Sequence, residues 1–499
     1  MLFAQLPAVD VAVVVLYLVA TILLGVWFSR RQKDTSTYFV GGRNVGGWLV
    51  LISIVATETS TVTFLSVPGL AFRDGGNLTF LQLALGYVVG RCLIAWFLLP
   101  QYVNGRLLTA YQLLRERFSP SVQRTASGIF LLTRTLADGM RLFLTALLLK
   151  QFAGWDIAQS IVVMGVATII YTYLGGMEAV IWTDVIQFAV YILGAAVAAA
   201  FILGGIEGGW DGFVAAGAAA GKFELFDFRP DPEVAFGFWA GLIGGAFFTM
   251  ASHGADQLMV QRYLCARSLR SARAALVGSG FLVLAQFLLF LLIGVGLFVV
   301  VRQGGLVLPD EVSGRSDEVF GYYIVHHLPT GVIGLLIAAV LSAAMSTLSS
   351  SLNSSASAVV NDFYRPARPD RTEAHYLGVS RAMTMVWGVA QMGVALFAAA
   401  ALERSVIEMV LSIAGFTTGV VLGLFLLGMS RRPVPSEAAI GGLVAGFITV
   451  LAVRLGTPVA WPWYAPIGTL ATVAVASVLG RVVFSHGSPS DRSPESRVG

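Results

Sequence analysis

The chain has 499 residues, 57% apolar and 12% charged, with a formal net charge of +4 and a mean hydropathy of +0.79. That balance excludes an ordinary water-soluble globule, in which about a quarter of the residues are charged. Two cysteines, Cys92 in an apolar stretch and Cys265 outside one, imply no disulfide framework.

A helix needs roughly 20 mostly apolar residues to cross a bilayer. About thirteen such stretches succeed one another, near 7–29, 47–70, 77–100, 125–149, 157–174, 179–206, 234–252, 274–301, 331–360, 378–401, 405–429, 437–453 and 464–484. The expectation is an all-α integral membrane protein, with one membrane domain over 1–485 and a polar, low-complexity tail, 486–499, disordered in the cytoplasm. The first stretch is too long and too poorly flanked for a cleaved signal peptide. With the N-terminus outside and Arg481 counted with the tail, 21 of the 32 Lys and Arg fall on the inner side, 8 on the outer side and 3 within spans. The positive-inside rule therefore sets the orientation in the cell membrane and places the C-terminus in the cytoplasm. The net charge reports topology and gives no reason to expect a nucleic-acid partner.

Span 2 reads LVLISIVATETSTVTFLSVPGL, with Thr57, Glu58, Thr59, Ser60, Thr61 and Thr63 at mid-membrane depth. Span 4 carries Arg134, Asp138 and Arg141 at i, i+4 and i+7, one helical face. Span 7 has a glycine cluster, Gly241, Gly244 and Gly245, before a polar end. Interrupted segments at matching positions of two halves point to an inverted repeat with a midplane site, here spans 2–6 and 7–11. Unwound backbone is tolerated at that depth only where it lines a cavity. In span 9 the run LSAAMSTLSSSLNSSASAVVNDFY places Ser342, Ser346, Ser349, Ser350 and Asn353 on one stripe with no charge before Asp362. Neutral oxygens on one stripe suit a small dehydrated cation; otherwise they bond to the preceding turn. The chain has no nucleotide-binding P-loop, no His/Cys metal cluster and no nucleophile elbow, so neither an ATP-driven pump nor an enzyme is supported. The pair His326–His327 reads as loop surface.

Five stretches carry a family resemblance: YFVGGR (38–43), polar span 2, YTYLGGMEAVIWTDVIQ (171–187), ADQLMVQRYLCARS (255–268) and the span 9 run. In that order the chain resembles the solute:sodium symporter family over nearly its whole length. The resemblance implies a LeuT-type 5+5 inverted-repeat core with flanking helices, driven by Na⁺. Its main sodium site would take the carbonyls of Ala56, Thr59 and Ala343 and the hydroxyls of Ser346 and Thr347. A second sodium, as in members similar to the sialic-acid transporters, would take Asp184, Ser346, Ser349 and Ser350; Asp184 alternatively caps its helix or pairs with an arginine. Glu58 departs from the family pattern: it binds a cation, a substrate ammonium or a proton, or else pairs with a nearby arginine. Ser60, Thr63, Gln82, Thr249 and Ser252 fall where the family places substrate contacts. Asp138 and Arg141 form either a neutral structural network or, through the guanidinium, a clamp for a substrate carboxylate. The implied activity is Na⁺-coupled uptake of a small polar solute, leaning to an anionic or zwitterionic one such as a carboxylate, an amino acid or an acidic sugar. A neutral-sugar symporter is the alternative, followed by a transporter-like sensor or channel. No obligatory protein partner is implied.

Overall fold

The computed structural model of the chain describes residues 6–29, 34–153, 155–401, 417, 419–430 and 434–482. Most of the expected span 405–429 and the whole tail 486–499 lie outside these described residues. Within them the chain is helical, with one isolated β-bridge pairing Val45 and Ala266. In order come α1 (Ala8–Ser29), α2 (Thr35–Val40), α3 (Gly47–Glu58), α4 (Thr61–Phe72), α5 (Leu81–Leu93), α6 (Pro120–Ala153), α7 (Ile157–Gly204) and α8 (Gly209–Ala219). Then follow α9 (Gly245–Gly254), α10 (Gln257–Cys265), α11 (Leu269–Arg302), α12 (Val319–His327), α13 (Val332–Ala358), α14 (Glu373–Ala401), α15 (Gly419–Met429), α16 (Ser436–Gly456) and α17 (Tyr464–Val482).

By length and composition, 8 helices among the described residues can cross a membrane, or 9 with the bent pair α3–α4 taken as one span. The expected thirteen is not reached on that measure, for identifiable reasons. The 48-residue α7 fuses expected spans 5 and 6 across Gly176, whose φ of 57° is a left-handed conformation that suits glycine. A Cβ there would also lie 2.8 Å from the Tyr38 ring. The long α6 carries Arg134, Asp138 and Arg141 along its middle. Span 7 is divided between a π-turn at Ala240–Gly244 and the ten-residue α9.

Span 7 also departs from the expected unwinding. Its glycines bring the backbone against α5: a Cβ on Gly86 would lie 2.2 Å from the Gly241 carbonyl oxygen, and one on Gly241 would lie 2.7 Å from the Gln82 backbone. The cluster therefore works as a close-packing surface between two helices, as small residues do in membranes.

The helices sort into two packed groups. α11 packs on α3, α4 and α5, and α5 packs on α9; α13 packs on α6 and α7, and α14 on α6, α7 and α13. Within the segment Val332–Ala367, 89% of the most apolar window is buried, against 28% for α1, so α13 is central and α1 peripheral. The start of α13 depends on α1. Gly331, its N-cap residue, has φ 90° and no side chain to cap with. The buried Asp10 carboxylate takes that role from α1, accepting the amides of Gly331 at 2.7 Å and Gly334 at 2.6 Å. A carboxylate on these orphan donors also opposes the positive end of the helix dipole. Asp10→Ala is expected to cost about 1–2 kcal/mol, read as a lower unfolding temperature in detergent, with Asp10→Asn losing less.

Candidate functional site

The break in span 2 is the one expected interruption that forms as such. α3 ends at Glu58, α4 begins at Thr61, and the two axes meet at 67°. Thr59 and Ser60 are extended (ψ 109° and 169°), so the last-turn carbonyls of α3 lose helical partners. Ser60 and Thr63 form a capping box that starts α4, each side chain 3.4 Å from the other's amide. Hydroxyl side chains that bond the local backbone compete with helix continuation. A run of them is why the span breaks here.

α13 meets the break with hydroxyls. Thr347 Oγ1 donates to the Thr57 carbonyl at 3.0 Å, joining the two groups of helices directly. Ser346 Oγ donates instead to Asp184 Oδ1 at 2.6 Å. Ser342, Ser349 and Ser350 donate to carbonyls of their own helix, at 2.7, 3.1 and 2.7 Å. Ala56 and Ala343 are fully buried at this seam. The structure thus brings together the two halves of the set Ala56, Thr59, Ala343, Ser346 and Thr347. Of the second set, Asp184 touches Ser346 directly, Ser350 reaches it through Thr57 and through an arginine, and Ser349 turns to its own helix.

That arginine is Arg262 on α10. Fully buried like its partner, it lies 3.2 Å from Asp184 Oδ2. It also donates to Thr57 Oγ1, to Ser350 Oγ and, at 3.0 Å, to Ser53 Oγ. Ser53 Oγ completes the Asp184 shell at 2.5 Å. The sequence reading assigned Arg262 to an inside loop, whereas α10 is buried along all nine residues. The apolar residues of QLMVQRYLC were the available signal.

Two further clusters flank the break. Glu58 pairs with the buried Arg91 of α5, and His253 Nε2 stands 3.5 Å from the same carboxylate. Ser252 bonds His253 Nδ1 at 2.9 Å. Arg91, one of three basic residues inside the spans, is the nearby arginine that the sequence offered as one of the alternatives for Glu58. On the other flank, Thr59 Oγ1 accepts from Gln286 Nε2 at 2.7 Å, and Tyr191 OH donates to Gln286 Oε1 at 3.1 Å. Neither Gln286 nor Tyr191 was singled out from the sequence. A lone glutamine inside the apolar span 8 was the only cue.

Next to the break lies a narrow cleft of about 10 Å³, roughly room for one water, lined by Ser60, Thr61, Arg141, Thr145, Ala344 and Thr347, with apolar neighbours. Arg141 Nη1 donates to Asp138 at 2.6 Å while its side chain stays 35% exposed. Arg134 is held by Asp256 at 2.5 Å. Of the expected substrate contacts, Ser60 and Arg141 line the cleft, and Asp138 and Thr63 adjoin those two through hydrogen bonds. Gln82, Thr249 and Ser252 are not part of its lining. Both ends of the Gln82 amide are used by backbone: it donates to the Phe236 carbonyl at 2.7 Å and accepts the Asp227 amide at 3.1 Å. Thr249 is buried with its hydroxyl unpartnered.

A helix broken at mid-span, docked by hydroxyls on a second group of membrane helices, is the architecture of a secondary transporter. The family model of the sodium:solute symporter family matches residues 38–446. The sodium/sialic acid symporter NanT of Aliivibrio fischeri is 31% identical over 483 residues, covering 96% of this chain and 94% of that protein. SiaT, the sodium/sialic acid symporter of Proteus mirabilis, is 31% identical over 478 residues, 94% of each. A solved structure of a Na⁺-coupled sialic acid symporter, substrate-bound and outward-open, superposes with a TM-score of 0.87 at 30% identity, covering 95% of this chain and 98% of that one. This chain belongs to the sodium:solute symporter family. It is a multi-pass membrane transporter of LeuT-type fold that couples Na⁺ to a small solute, and it is not an enzyme.

Breaking a buried ion pair from one side leaves an uncompensated charge, at a cost of about 3–5 kcal/mol. Arg262→Leu should therefore lower the unfolding temperature more than Asp184→Asn/Arg262→Leu does. Additive losses in that double-mutant cycle would show that the pair is not coupled.

Proposed function

We propose that the protein takes up an anionic solute of the carboxylate or acidic-sugar class together with Na⁺, with its N-terminus outside and the tail in the cytoplasm of a cell that holds it in its plasma membrane. The observation that carries the reading is the shared cleft: Thr347, which docks the broken helix, and Arg141, whose side chain is 35% exposed, line the same space. Main-site sodium is held by the carbonyls of Ala56, Thr59 and Ala343 and the hydroxyls of Ser346 and Thr347. Hard, neutral oxygens suit this ion and still release it. The freed α3 carbonyls, one of them already accepting from Thr347, support the fit.

Arg141 offers one edge of its fork to the solute carboxylate while Asp138 holds the other. The relatives named sialic acid symporters take such an anion. Each sodium contributes ~2.3 kcal/mol per 100 mV of membrane potential and ~1.4 kcal/mol per tenfold gradient. A second ion at Asp184, Ser346, Ser349 and Ser350 competes with Arg262 for the same carboxylate and binds when that guanidinium gives way.

Reconstituted into proteoliposomes, the protein should accumulate radiolabelled sialic acid only when an inward Na⁺ gradient is imposed. Thr347→Ala should raise the sodium concentration for half-maximal uptake about tenfold or more, the loss of one ~1.4 kcal/mol interaction. Unchanged sodium activation in that variant would remove Thr347 from the site, and failure with sialic acid alongside sodium-driven uptake of a monocarboxylate would move only the substrate. Asp184→Asn should lower the measured Na⁺:solute ratio; an equal ratio in both proteins counts against the second ion.

A further inference from the structure

Lys222 lies in the loop after α8, outside the membrane-spanning helices, yet it is only 1% exposed. Its ammonium donates to three consecutive carbonyls at the end of α4: Ala71 at 2.9 Å, Phe72 at 3.2 Å and Arg73 at 2.7 Å. These are orphan acceptors at the negative end of the helix. Three N–H groups meet three oxygens, leaving none of the ammonium's donors idle. Nζ also stands 3.9 Å from the centre of the Phe298 ring on α11, within cation–π range. A single side chain thus joins three elements: its own loop, the second half of the broken helix and α11.

The neighbouring strand of loop is stitched to the same end of the helix. Leu78 donates its amide to the Glu224 carbonyl at 3.1 Å, and Asn77 Nδ2 donates to the Glu224 carboxylate at 3.1 Å. The loop continues through Asp227 and Phe236, both bonded to Gln82, into the π-turn of span 7. Residues 222–238 therefore link the end of α4 to the start of span 7 by a continuous set of hydrogen bonds.

We propose that Lys222 is a positioning residue of the transport cycle: its ammonium caps α4 and makes the second half of the broken helix and the loop leading to span 7 move as one body. The proposal does not depend on which oxygens hold sodium or on which solute is carried. A neutral amine has two protons and a lone pair, and it cannot serve three carbonyls without setting that lone pair against one of them. The cap is then complete only while the amine is protonated. The charged groups around it are Asp74 and Arg73 at the end of α4, Arg302 on α11 and Glu224 on its own loop. Burial pushes the amine down, Asp74 pulls it up, and Arg302 and Arg73 push it down again, to about 8 in all. The protonated cap is present below that value and is lost as pH rises through it.

The test is ²²Na⁺ binding to purified protein in detergent, from about pH 6.5 to about pH 9.5, a window below the ordinary lysine value of about 10.4. Wild-type affinity should weaken about threefold to tenfold as pH passes 8, since α4 no longer holds its end of the break. Lys222→Arg keeps its charge across the window and should hold its affinity. Lys222→Met should bind weakly at every pH, with no alkaline limb. A wild type with pH-independent affinity, or Lys222→Arg with the wild-type limb, overturns the proposal. Should Lys222→Met not fold, the wild-type and arginine profiles decide it alone. Loss of sodium binding in wild type at every pH would instead count against the sodium site itself.

Discussion

The structure depends on one constraint: a helix broken inside a membrane exposes backbone carbonyls that lipid cannot satisfy. Everything around residues 59 and 60 answers it. Thr347 takes the Thr57 carbonyl, the Ser60–Thr63 box takes the first amides of α4, and Gln286 with Tyr191 holds the Thr59 hydroxyl. Lys222 takes three carbonyls at the far end of α4. A broken helix so dependent on outside partners can reside only beside a polar one. This is the physical reason that α13, though uncharged over the span, is buried almost throughout.

The kind of contact differs within and between the two groups of helices. Within a group, glycines let α5 and span 7 touch backbone to backbone, leaving no room for a Cβ at Gly86 or Gly241. Between groups, where α3 and α11 also pack on α7, the polar links beside the break are single side-chain hydrogen bonds: Ser53, Thr57 and Arg262 donate to Asp184, Arg262 also to Ser350, Tyr191 to Gln286, and Thr347 to the Thr57 carbonyl. Hydrogen bonds of this kind are worth about 0.5–1.5 kcal/mol each and exchange readily for bonds to water or an ion. Tight packing inside each group and exchangeable bonds across the seam are what two bodies need in order to rock.

Much of this was legible in the sequence, and what was not has a common cause. The broken span 2, the hydroxyl face of α13 and Asp184 announce themselves because polar residues in an apolar run have no cheaper explanation. Their partners do not. Arg262 looks like an ordinary inside-loop arginine until α10 is seen folded into the protein, and Gln286 is one glutamine in a helix of 34 residues. The glycines of span 7 were visible, but their role was not. Composition alone cannot tell a glycine that opens a helix from one that admits a neighbour, since both need only the absence of a Cβ. Gln82 shows the same limit: its position is that of a family substrate contact, while its amide is committed to the loop backbone.

Charge balance links the proposed cation and anion. Arg134 and Arg141 face Asp138 and Asp256, a neutral set of four, and Glu58 with Arg91 and Asp184 with Arg262 are neutral pairs. The seam therefore starts near zero net charge. An anion entering the cleft beside Arg141 makes it negative, and a sodium bound first at Thr347 makes it positive. Each ion offsets the cost of burying the other. Two unit charges 4 Å apart attract by about 4 kcal/mol at an effective dielectric constant of 20. That is more than the 1–3 kcal/mol typical of coupling between two sites. Under the proposed assignment, electrostatics across this cleft suffices for coupling without a long-range relay, and a neutral solute would forgo that source of it.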